Sequence, residues 1–344
     1  MKSKKLVALV MVVSTVMLSS FSFYAYQVLF TPNILVDQDD QYLAIPKGMT
    51  FKDLQNKLYE ERIVNDLVSF SFLAKIKGID ENLKSGMYLL NGDMSNTQAI
   101  NMLRAGLQSP VKLTFSGARK IDELATKLTV NLEIDSTAMA PYLLSDSVAQ
   151  SYGFDSLNFI SMFLPNTYEV YWTASPNDIL KRMKYEYDKF WNDTRKKKAD
   201  SLGLTPQEVT TLASIVDSET NLTDEAPIIA GVYLNRLDRG YLLQADPTLV
   251  FALNDFSIRR VLDVHKQIDS PYNTYKYRGL PPGPIMMPSL NFIDAVLNAE
   301  NHRFLYFCAS PDLSGYHAFA KTLVEHNENA RKLHRALNQR RIYR

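Results

Sequence analysis

The chain has 344 residues, of which 46% are hydrophobic and 11% aromatic, so it can bury a sizeable core and is expected to divide into two or more domains. Its 38 basic and 37 acidic side chains leave a formal net charge of +1, and we therefore predict no nucleic-acid partner. The only cysteine, Cys308, excludes an intramolecular disulfide and a cysteine-based zinc site. The apolar residues around Cys308 predict that it lies in a buried strand.

The first thirty residues have the composition of a membrane anchor. Lysines at positions 2, 4 and 5 precede an uncharged run over residues 6–30, which exceeds the roughly 20 residues that cross a bilayer as a helix. The lysines predict that residues 1–5 are a cytoplasmic tail of a single-pass protein of the cell membrane, with the rest of the chain outside. A signal peptide cleaved near Ser20-Phe21-Ser22 is the alternative. Residues 31–40 are then a polar juxtamembrane spacer.

Short strands and helices alternate over residues 41–110. Strands are predicted at 42–45 and 86–90, and helices at 50–58 and 66–77. This βααβ order resembles the LysM-type glycan-binding modules. A purely architectural spacer has the same pattern, so both interpretations stay open.

Residues 111–198 are predicted to form a second α/β linker region. Its predicted elements are a strand at 111–115, a helix at 121–128, a strand or cleft wall just after Pro165, and a helix at 176–192. The basic run at 195–198 is predicted to be a solvated helix end or a linker. A domain boundary is expected near residue 199.

The domain that follows opens with a strong helix start. Thr205, Pro206 and Glu208 provide a capping box with proline at the first helical position. The apolar residues after them fall on one face of the predicted helix. These residues are Val209, Leu212, Ala213 and Val216.

Two acidic residues lie near the end of this helix. Glu219 falls at the edge of the apolar face and Asp217 on nearly the opposite side, so the two cannot act as a pair on one bond. Partial burial and the negative partial charge of a helix C-terminus both favour the protonated form of Glu219, as a general acid requires. From this helix alone, a solvated acid at a helix end is an equal alternative.

Several further elements complete the C-terminal domain. They are a helix at 225–239, a turn after Gly240, a rigid proline- and glycine-rich loop at 279–285, a helix at 289–299, strands at 304–309 and 316–319, and a terminal helix opened by a capping box at Thr322 and Glu325. The rigid loop suits the wall of an open cleft.

Six short strings along the chain carry a family resemblance. They occur in the order LASIVDSET, LNRL, QADPT, YNTY, GLPPGPI and HAFAKTLVEHN. In this order, and with the N-terminal anchor and the LysM-like region, the chain resembles the endolytic murein transglycosylases, the MltG or YceG-like family, over essentially its whole length. The resemblance implies an α+β fold with a YceG-like catalytic domain at residues 199–344.

The resemblance also implies which residue is catalytic. The catalytic glutamate of the family is the second acid of an acid-x-Glu-Thr string, which here is Glu219. Asp217 stands where the family usually has glutamate. Asn166 stands where the family commonly has aspartate, so we assign Asn166 no role.

The implied substrate is the glycan strand of peptidoglycan, cut at the β-1,4 bond between MurNAc and GlcNAc. Glu219 protonates the departing oxygen and then takes the proton from the muramyl C6 hydroxyl, which closes a 1,6-anhydro ring without water. No cofactor or metal is needed, and the five histidines show no HExxH spacing. Strand termination is implied, with peptidoglycan synthases and the division or elongation machinery as possible partners.

Seven residues are candidates for binding the sugars, although each also fits a role in a turn, in helix packing or in the core. They are Gln244, Asp246, Tyr272, Asn273, His317, His326 and Asn327. Two other functions stay open. One is a membrane-tethered peptidoglycan-binding scaffold without activity, and the other is a hydrolytic muramidase, which needs a second carboxylate such as Asp246 or Glu225.

Overall fold

The computed structural model describes residues 2–35 and 41–340, with side chains from residue 4 onward, and these residues form the predicted mixed α+β fold. The helices are α1 Lys2–Phe30, α2 Phe51–Glu60, α3 Leu67–Ile76, α4 Asn96–Ala105, α5 Ile121–Thr129, α6 Ser136–Leu143, α7 Asp146–Ser151, α8 Pro176–Phe190, α9 Asp193–Ser201, α10 Pro206–Glu219, α11 Ala226–Asp238, α12 Asp246–Leu253, α13 Leu290–Leu297 and α14 Leu323–Gln339, with short 3-10 helices at Phe159–Met162 and His265–Gln267.

The strands form three small sheets of two strands each. They are β1 Gln41–Ile45, β2 Gly86–Leu90, β3 Val111–Phe115, β4 Asn166–Val170, β5 Tyr306–Ala309 and β6 His317–Ala320. They pair as β1 with β2, β3 with β4 and β5 with β6. The strands and helices predicted from the sequence are thus present, with ends that differ by up to two residues, except that α1 begins four residues before the predicted anchor.

The chain divides into two compact units. Unit 1 comprises the described residues of 1–113, 131–134 and 169–175, and unit 2 comprises those of 114–130, 135–168 and 176–344. The boundary expected near residue 199 stays a prediction, because that residue lies inside α9 and within unit 2.

Helix α1 contains one stretch that is long and apolar enough to cross a membrane. The stretch Lys4–Phe30 has a mean hydropathy of 2.2 and is not buried by other parts of the described chain. This agrees with the predicted anchor at 6–30. Which membrane it enters, and on which side the N-terminus lies, stay predictions.

Unit 1 contains the predicted βααβ order. Strand β1 runs antiparallel to β2, with Gln41 opposite Leu90 and Ile45 opposite Gly86, and α2 and α3 lie between them in the chain. Helix α4, which the sequence analysis did not predict, adds three buried residues to the same core: Ala99, Ile100 and Leu103. The relationship to LysM modules stays a prediction.

The described part of the predicted spacer is packed into unit 1 and is not a free linker. Asn33 is buried, and its amide nitrogen donates to the Asp66 carbonyl at 3.0 Å and to Asn96 Oδ1 at 2.6 Å. The Asn96 amide donates in turn to the carbonyl of Val28 in α1 at 3.1 Å. Leu29 packs against the unit 1 core. The remainder of the spacer, residues 36–40, lies outside the described residues.

Helix α10 is the central helix of unit 2. Thr205 and Glu208 form the predicted capping box, with proline at the start of the helix. The four predicted apolar residues are buried, and all the remaining side chains between Val209 and Val216 are buried as well. The polar side chains among them form hydrogen bonds to backbone carbonyls. For example, the Ser214 hydroxyl donates to the Thr211 carbonyl at 2.7 Å. Because other helices pack around α10, more of its surface is buried than the one apolar face that the sequence predicted.

Three sequence-based expectations in unit 2 are corrected by the structure. The basic run at 195–198 lies within α9 and is not a linker, since Arg195 Nε reaches Asp294 Oδ1 at 2.9 Å. The QADPT string leads into α12, which the sequence analysis did not predict. Cys308 lies in a strand as expected but is half-exposed, because one side of β5 borders a cavity.

Candidate active site

Glu219 is the last residue of α10 and is half-buried. Its Oε1 accepts a hydrogen bond of 2.7 Å from the hydroxyl of Tyr233, on the neighbouring helix α11. Tyr233 is only 1% exposed, and its ring meets the edge of the Phe307 ring at a centroid distance of 5.8 Å. The second carboxylate oxygen, Oε2, accepts no hydrogen bond from the described residues. Glu219 is therefore held at one oxygen and free at the other.

The surroundings of Glu219 favour its protonated form. Burial raises the pKa of Glu219 from its ordinary 4.5 to about 7. The hydrogen bond from Tyr233 opposes this rise, the negative charge of Asp246 adds to it, and the positive charges of His317 and Arg236 oppose it. A carboxyl group with a pKa near 7 can both donate a proton and take one back at neutral pH.

Glu219 lies where two cavities meet. Cavity 1 has a volume of about 390 Å³ and cavity 2 about 530 Å³, and Glu219 and Asp246 line both. Cavity 1 is formed mainly by α11, β5, β6 and α14. Cavity 2 is formed mainly by α12, by the chain after it and by Ile285 and Met286 of the proline-rich loop. A long ligand therefore finds space on both sides of this carboxylate.

Asp246 opens α12 and is oriented by a tyrosine. The hydroxyl of Tyr275 donates a hydrogen bond to Asp246 Oδ1. Burial, followed by this bond, raises the pKa of Tyr275. The tyrosine therefore stays a hydrogen-bond donor at neutral pH and fixes the Asp246 carboxylate at the border of both cavities.

His317 lines cavity 1 and is held by a buried carboxylate. Its Nδ1 lies 2.8 Å from Glu225 Oε2, and its backbone amide donates to Glu225 Oε1 at 2.6 Å. Glu225 is only 3% exposed and is not among the described residues that line cavity 1 or 2. Glu225 therefore supports the histidine and is not placed to act on a substrate.

Two more predicted residues, Gln244 and His326, also line cavity 1. The ring of His326 stacks on Tyr306 at 5.5 Å, and burial lowers the pKa of this histidine. His326 Nδ1 is buried and has no hydrogen-bond partner among the described residues. The neutral ring can thus bond a polar group that enters the cavity.

The remaining three predicted residues line neither cavity. Asn273 is fully buried, and its amide donates to the carbonyls of Lys266 at 2.9 Å and Ile268 at 2.8 Å. Its Oδ1 accepts from the Tyr275 amide, so Asn273 holds the loop that carries Tyr275. Tyr272 is buried with its ring 4.7 Å from that of Phe251. Asn327 is exposed on α14.

Asp217 lies closer to the site than the sequence analysis predicted. It was expected to face away from Glu219, yet both residues line cavity 2. The helix ends at Glu219, so the cavity can surround its last turn. Burial raises the pKa of Asp217, and Asp217 Oδ2 accepts a 2.8 Å hydrogen bond from the Ser289 amide at the start of α13. This carboxylate therefore also connects α10 to α13.

Sequence reasoning missed Tyr233, Tyr275 and Arg236. Arg236 is buried, and its guanidinium donates to the carbonyls of Leu305 and Leu243, both at 2.6 Å. It also lies 5.2 Å from the centroid of the Tyr306 ring. Tyr233 and Arg236 are three residues apart on a mostly apolar helix and so share a face. An arginine in a mostly apolar helix is unusual, and this was the signal in the sequence that could have identified Arg236 as a site residue.

Comparison with known proteins shows related chains in several bacteria. A family model described as "YceG-like family" matches residues 43–332. Two Streptococcus pneumoniae proteins, from strains R6 and D39, are named endolytic murein transglycosylase and are each 27% identical over 91% of this chain. The chain spans only 62% of their length. A Bacillus subtilis protein of the same name is 28% identical over 87% of this chain and 86% of its own.

A solved structure shows a similar fold. The crystal structure of a YceG-like protein from Listeria monocytogenes has a TM-score of 0.55 with this chain at 26% identity. The match covers 85% of this chain and 99% of the other.

Proposed function

The chain belongs to the YceG-like family, and from this membership we propose that it is a lytic transglycosylase that cuts peptidoglycan glycan strands internally. The names of the relatives from Streptococcus pneumoniae and Bacillus subtilis support this proposal. The observation that carries it is the position of Glu219, a carboxyl group with a pKa of about 7 where two cavities meet.

Glu219 performs both proton transfers of the proposed reaction. Its protonated carboxyl donates to the bridging oxygen as the bond from muramyl C1 to that oxygen breaks. The resulting carboxylate then takes the proton of the C6 hydroxyl, whose oxygen bonds to C1 and closes the 1,6-anhydro ring. Glu219 ends the cycle protonated, and no water is consumed. Tyr233 holds Oε1, which leaves Oε2 to face the sugar.

Space on both sides of the carboxylate supports an internal cut. An enzyme that releases sugars from a strand end needs a site closed on one side, whereas an internal cut needs room for sugars on either side. Cavity 1 and cavity 2 provide that room, and both are bordered by Glu219. Gln244, His317 and His326 are then candidates for binding sugar hydroxyl and N-acetyl groups in cavity 1.

Membrane anchoring is a further part of the proposal. The apolar stretch Lys4–Phe30 supports a protein held in the cell membrane, with the cutting unit on the outer side. Nascent glycan strands are made at that surface, so cutting there would terminate their elongation. Peptidoglycan synthases and the division or elongation machinery are the expected neighbours.

A hydrolytic muramidase is the second candidate, and Asp246 is the residue that favours it. Its carboxylate borders both cavities, and its negative charge raises the pKa of Glu219. Asp246 is therefore placed to activate a water molecule as a second carboxylate. Glu225, the other carboxylate considered, is buried behind His317. A scaffold without activity is disfavoured, because Glu219 has no structural partner among the described residues other than Tyr233.

The products distinguish these candidates. The full chain, in detergent micelles, is incubated with uncrosslinked glycan strands in water labelled with oxygen-18, and the strand ends are analysed by mass spectrometry. We expect 1,6-anhydro ends without the label. Labelled reducing ends would show a muramidase, and strands left uncut would show a scaffold.

Replacing Tyr233 with phenylalanine is expected to shift the pH dependence of cleavage. The hydroxyl lowers the pKa of Glu219, so its removal raises that pKa above about 7. Cleavage that needs protonated Glu219 declines as pH rises through this pKa, so the alkaline limb of the kcat/KM profile moves to higher pH. Tyr277→Phe is the matched control, because that exposed hydroxyl bonds to Asp269 instead. An alkaline limb that does not move in Tyr233→Phe would contradict the proposed role.

A further inference from the structure

Cavity 2 carries a basic and aromatic surface that the proposed reaction does not use. Phe256 lines this cavity and its side chain is 37% exposed. The guanidinium carbon of Arg119 lies 4.9 Å from the centroid of the Phe256 ring, and Lys120 Nζ lies 5.7 Å from it. Arg259 lines the same cavity. We call Phe256, Arg119, Lys120 and Arg259 the basic platform.

The cations of the basic platform form no ion pairs within the described chain. None of the three forms an ion pair with residues 2–35 or 41–340. Glu123, which lines a further cavity together with Arg119 and Lys120, accepts from the backbone amide of Arg119 at 2.9 Å and pairs with Lys127 at 3.3 Å. Asp217, Glu219 and Asp246 also line cavity 2, so only the part of its wall where these unpaired cations lie can attract an anion.

The basic platform adjoins the cut site but does not act on its charge. A further cavity of about 390 Å³ is lined by Arg119, Lys120 and Phe256 together with Met286. Met286 also lines cavity 2, and its sulfur accepts from the hydroxyl of Ser218, the residue before Glu219. The charges that shift the pKa of Glu219 come from Asp246, His317 and Arg236, none of which belongs to the platform. The platform therefore serves a part of the ligand away from the bond that is cut.

We propose that the basic platform binds a muramyl residue through a carboxylate of its stem peptide. This inference rests on the proposed function, because it assumes a peptidoglycan strand in cavity 2. The sugar backbone of such a strand is neutral, whereas the peptides on its muramyl residues carry carboxylates. Arginine binds a carboxylate through two parallel hydrogen bonds, and the exposed part of the Phe256 side chain offers an apolar surface beside it. The protein accordingly prefers strands whose stem-peptide carboxylates are free over strands in which they are amidated.

Binding tests this inference separately from cleavage. The full chain with Glu219→Gln, in detergent micelles, is titrated with strands that carry stem peptides and with the same strands after their stem carboxylates are converted to amides. We expect the tightest binding for the strands with free carboxylates. Adding Arg119→Gln weakens their binding by about fivefold and leaves binding of the amidated strands unchanged. Raising the salt concentration reduces the difference between the two kinds of strand.

Matched variants separate a local contact from a general change of charge. Lys197→Gln removes the same charge from an exposed position of α9 and is expected to bind like the parent. Arg119→Lys keeps the charge but loses the two-bond geometry, so we expect an intermediate affinity. Arg259→Gln repeats the test at a second position of the platform.

The outcomes also distinguish the inference from the proposed function. Equal affinity for both kinds of strand, or an equal loss for both of them in Arg119→Gln, would overturn the inference even if the wild-type chain cuts strands. A chain that shows the expected preference but never cuts would overturn the proposed function and leave the inference intact.

Discussion

Replacing Glu219 with glutamine is expected to reduce the rate of strand cleavage by about 10³- to 10⁴-fold, the upper range for loss of a general acid or base. The effect is large because one side chain performs both proton transfers, and glutamine can perform neither. Anhydro ends released from uncrosslinked strands, counted by mass spectrometry, provide the rate. Glu208→Gln is the matched control, since it lies at the exposed start of the same helix and glutamine can still complete the capping box. A Glu219→Gln variant that cuts within tenfold of wild type, a tenfold change being about 1.4 kcal/mol, would exclude Glu219 as the acid.

Although Glu219→Gln is expected to reduce cleavage, it is expected to increase the stability of the protein. Folding raises the pKa of Glu219 from 4.5 to about 7, so the folded protein binds more protons than the unfolded chain between these pH values. The contribution of Glu219 to the free energy of unfolding therefore declines as pH rises through this window. Glutamine has no such titration. We expect Glu219→Gln to gain stability relative to wild type from pH 5 to pH 8 in thermal unfolding, and no relative gain would argue against a raised pKa.

Replacing Gly283 with alanine is expected to lower the free energy of unfolding by about 4 kcal/mol or more, an effect of the size seen for severe core mutations. An added Cβ at Gly283 would lie 2.0 Å from the carbonyl oxygen of Leu157 and 2.7 Å from its carbon. Both atoms belong to backbone, which cannot rotate away. Guanidinium chloride unfolding of the full chain in detergent micelles measures the change.

The clash would also disturb the wall of cavity 2. The loop after Gly283 is held by hydrogen bonds from the Ile285 amide to Ser214 Oγ and from the Met287 amide to the Ala118 carbonyl. Displacing this loop moves Ile285 away from the cavity that it lines. We therefore expect cleavage to be lost together with stability.

Gly279 provides the control for Gly283 within the same loop. A Cβ at Gly279 would meet no atom within 4 Å, but the residue has a φ of +87°. Alanine there costs about 1–2 kcal/mol for the left-handed backbone alone. If Gly283→Ala proved no less stable than Gly279→Ala, the close approach to Leu157 would not matter for folding.

Local sequence signals predicted the elements that depend on neighbouring residues. The start of α10 was predictable because the side chains of Thr205 and Glu208 bond within one helical turn. The same holds for α14, which Thr322 and Glu325 open. Glu219 could be placed at the edge of an apolar face because the period of a helix is fixed. These features need no information from distant parts of the chain.

Distant contacts explain what the sequence analysis missed. Tyr233 reaches Glu219 only because α11 packs beside α10, and cavity 1 is completed by β5, β6 and α14, which come much later in the chain. Asn273 was considered for sugar binding because polar residues in a loop suggest a site. Its amide instead bonds to the backbone of its own loop, a role that periodicity cannot indicate.

The junction between α1 and unit 1 has a mechanical consequence. Leu29 packs in the unit 1 core, and the carbonyl of Val28 accepts from the buried side chain of Asn96, so the end of this helix is held firmly. A membrane-crossing helix tilts when the bilayer becomes thinner than its apolar length. If α1 crosses a membrane, as proposed, the rest of unit 1 would lean with it, and bilayer thickness would set the angle between unit 1 and the membrane plane.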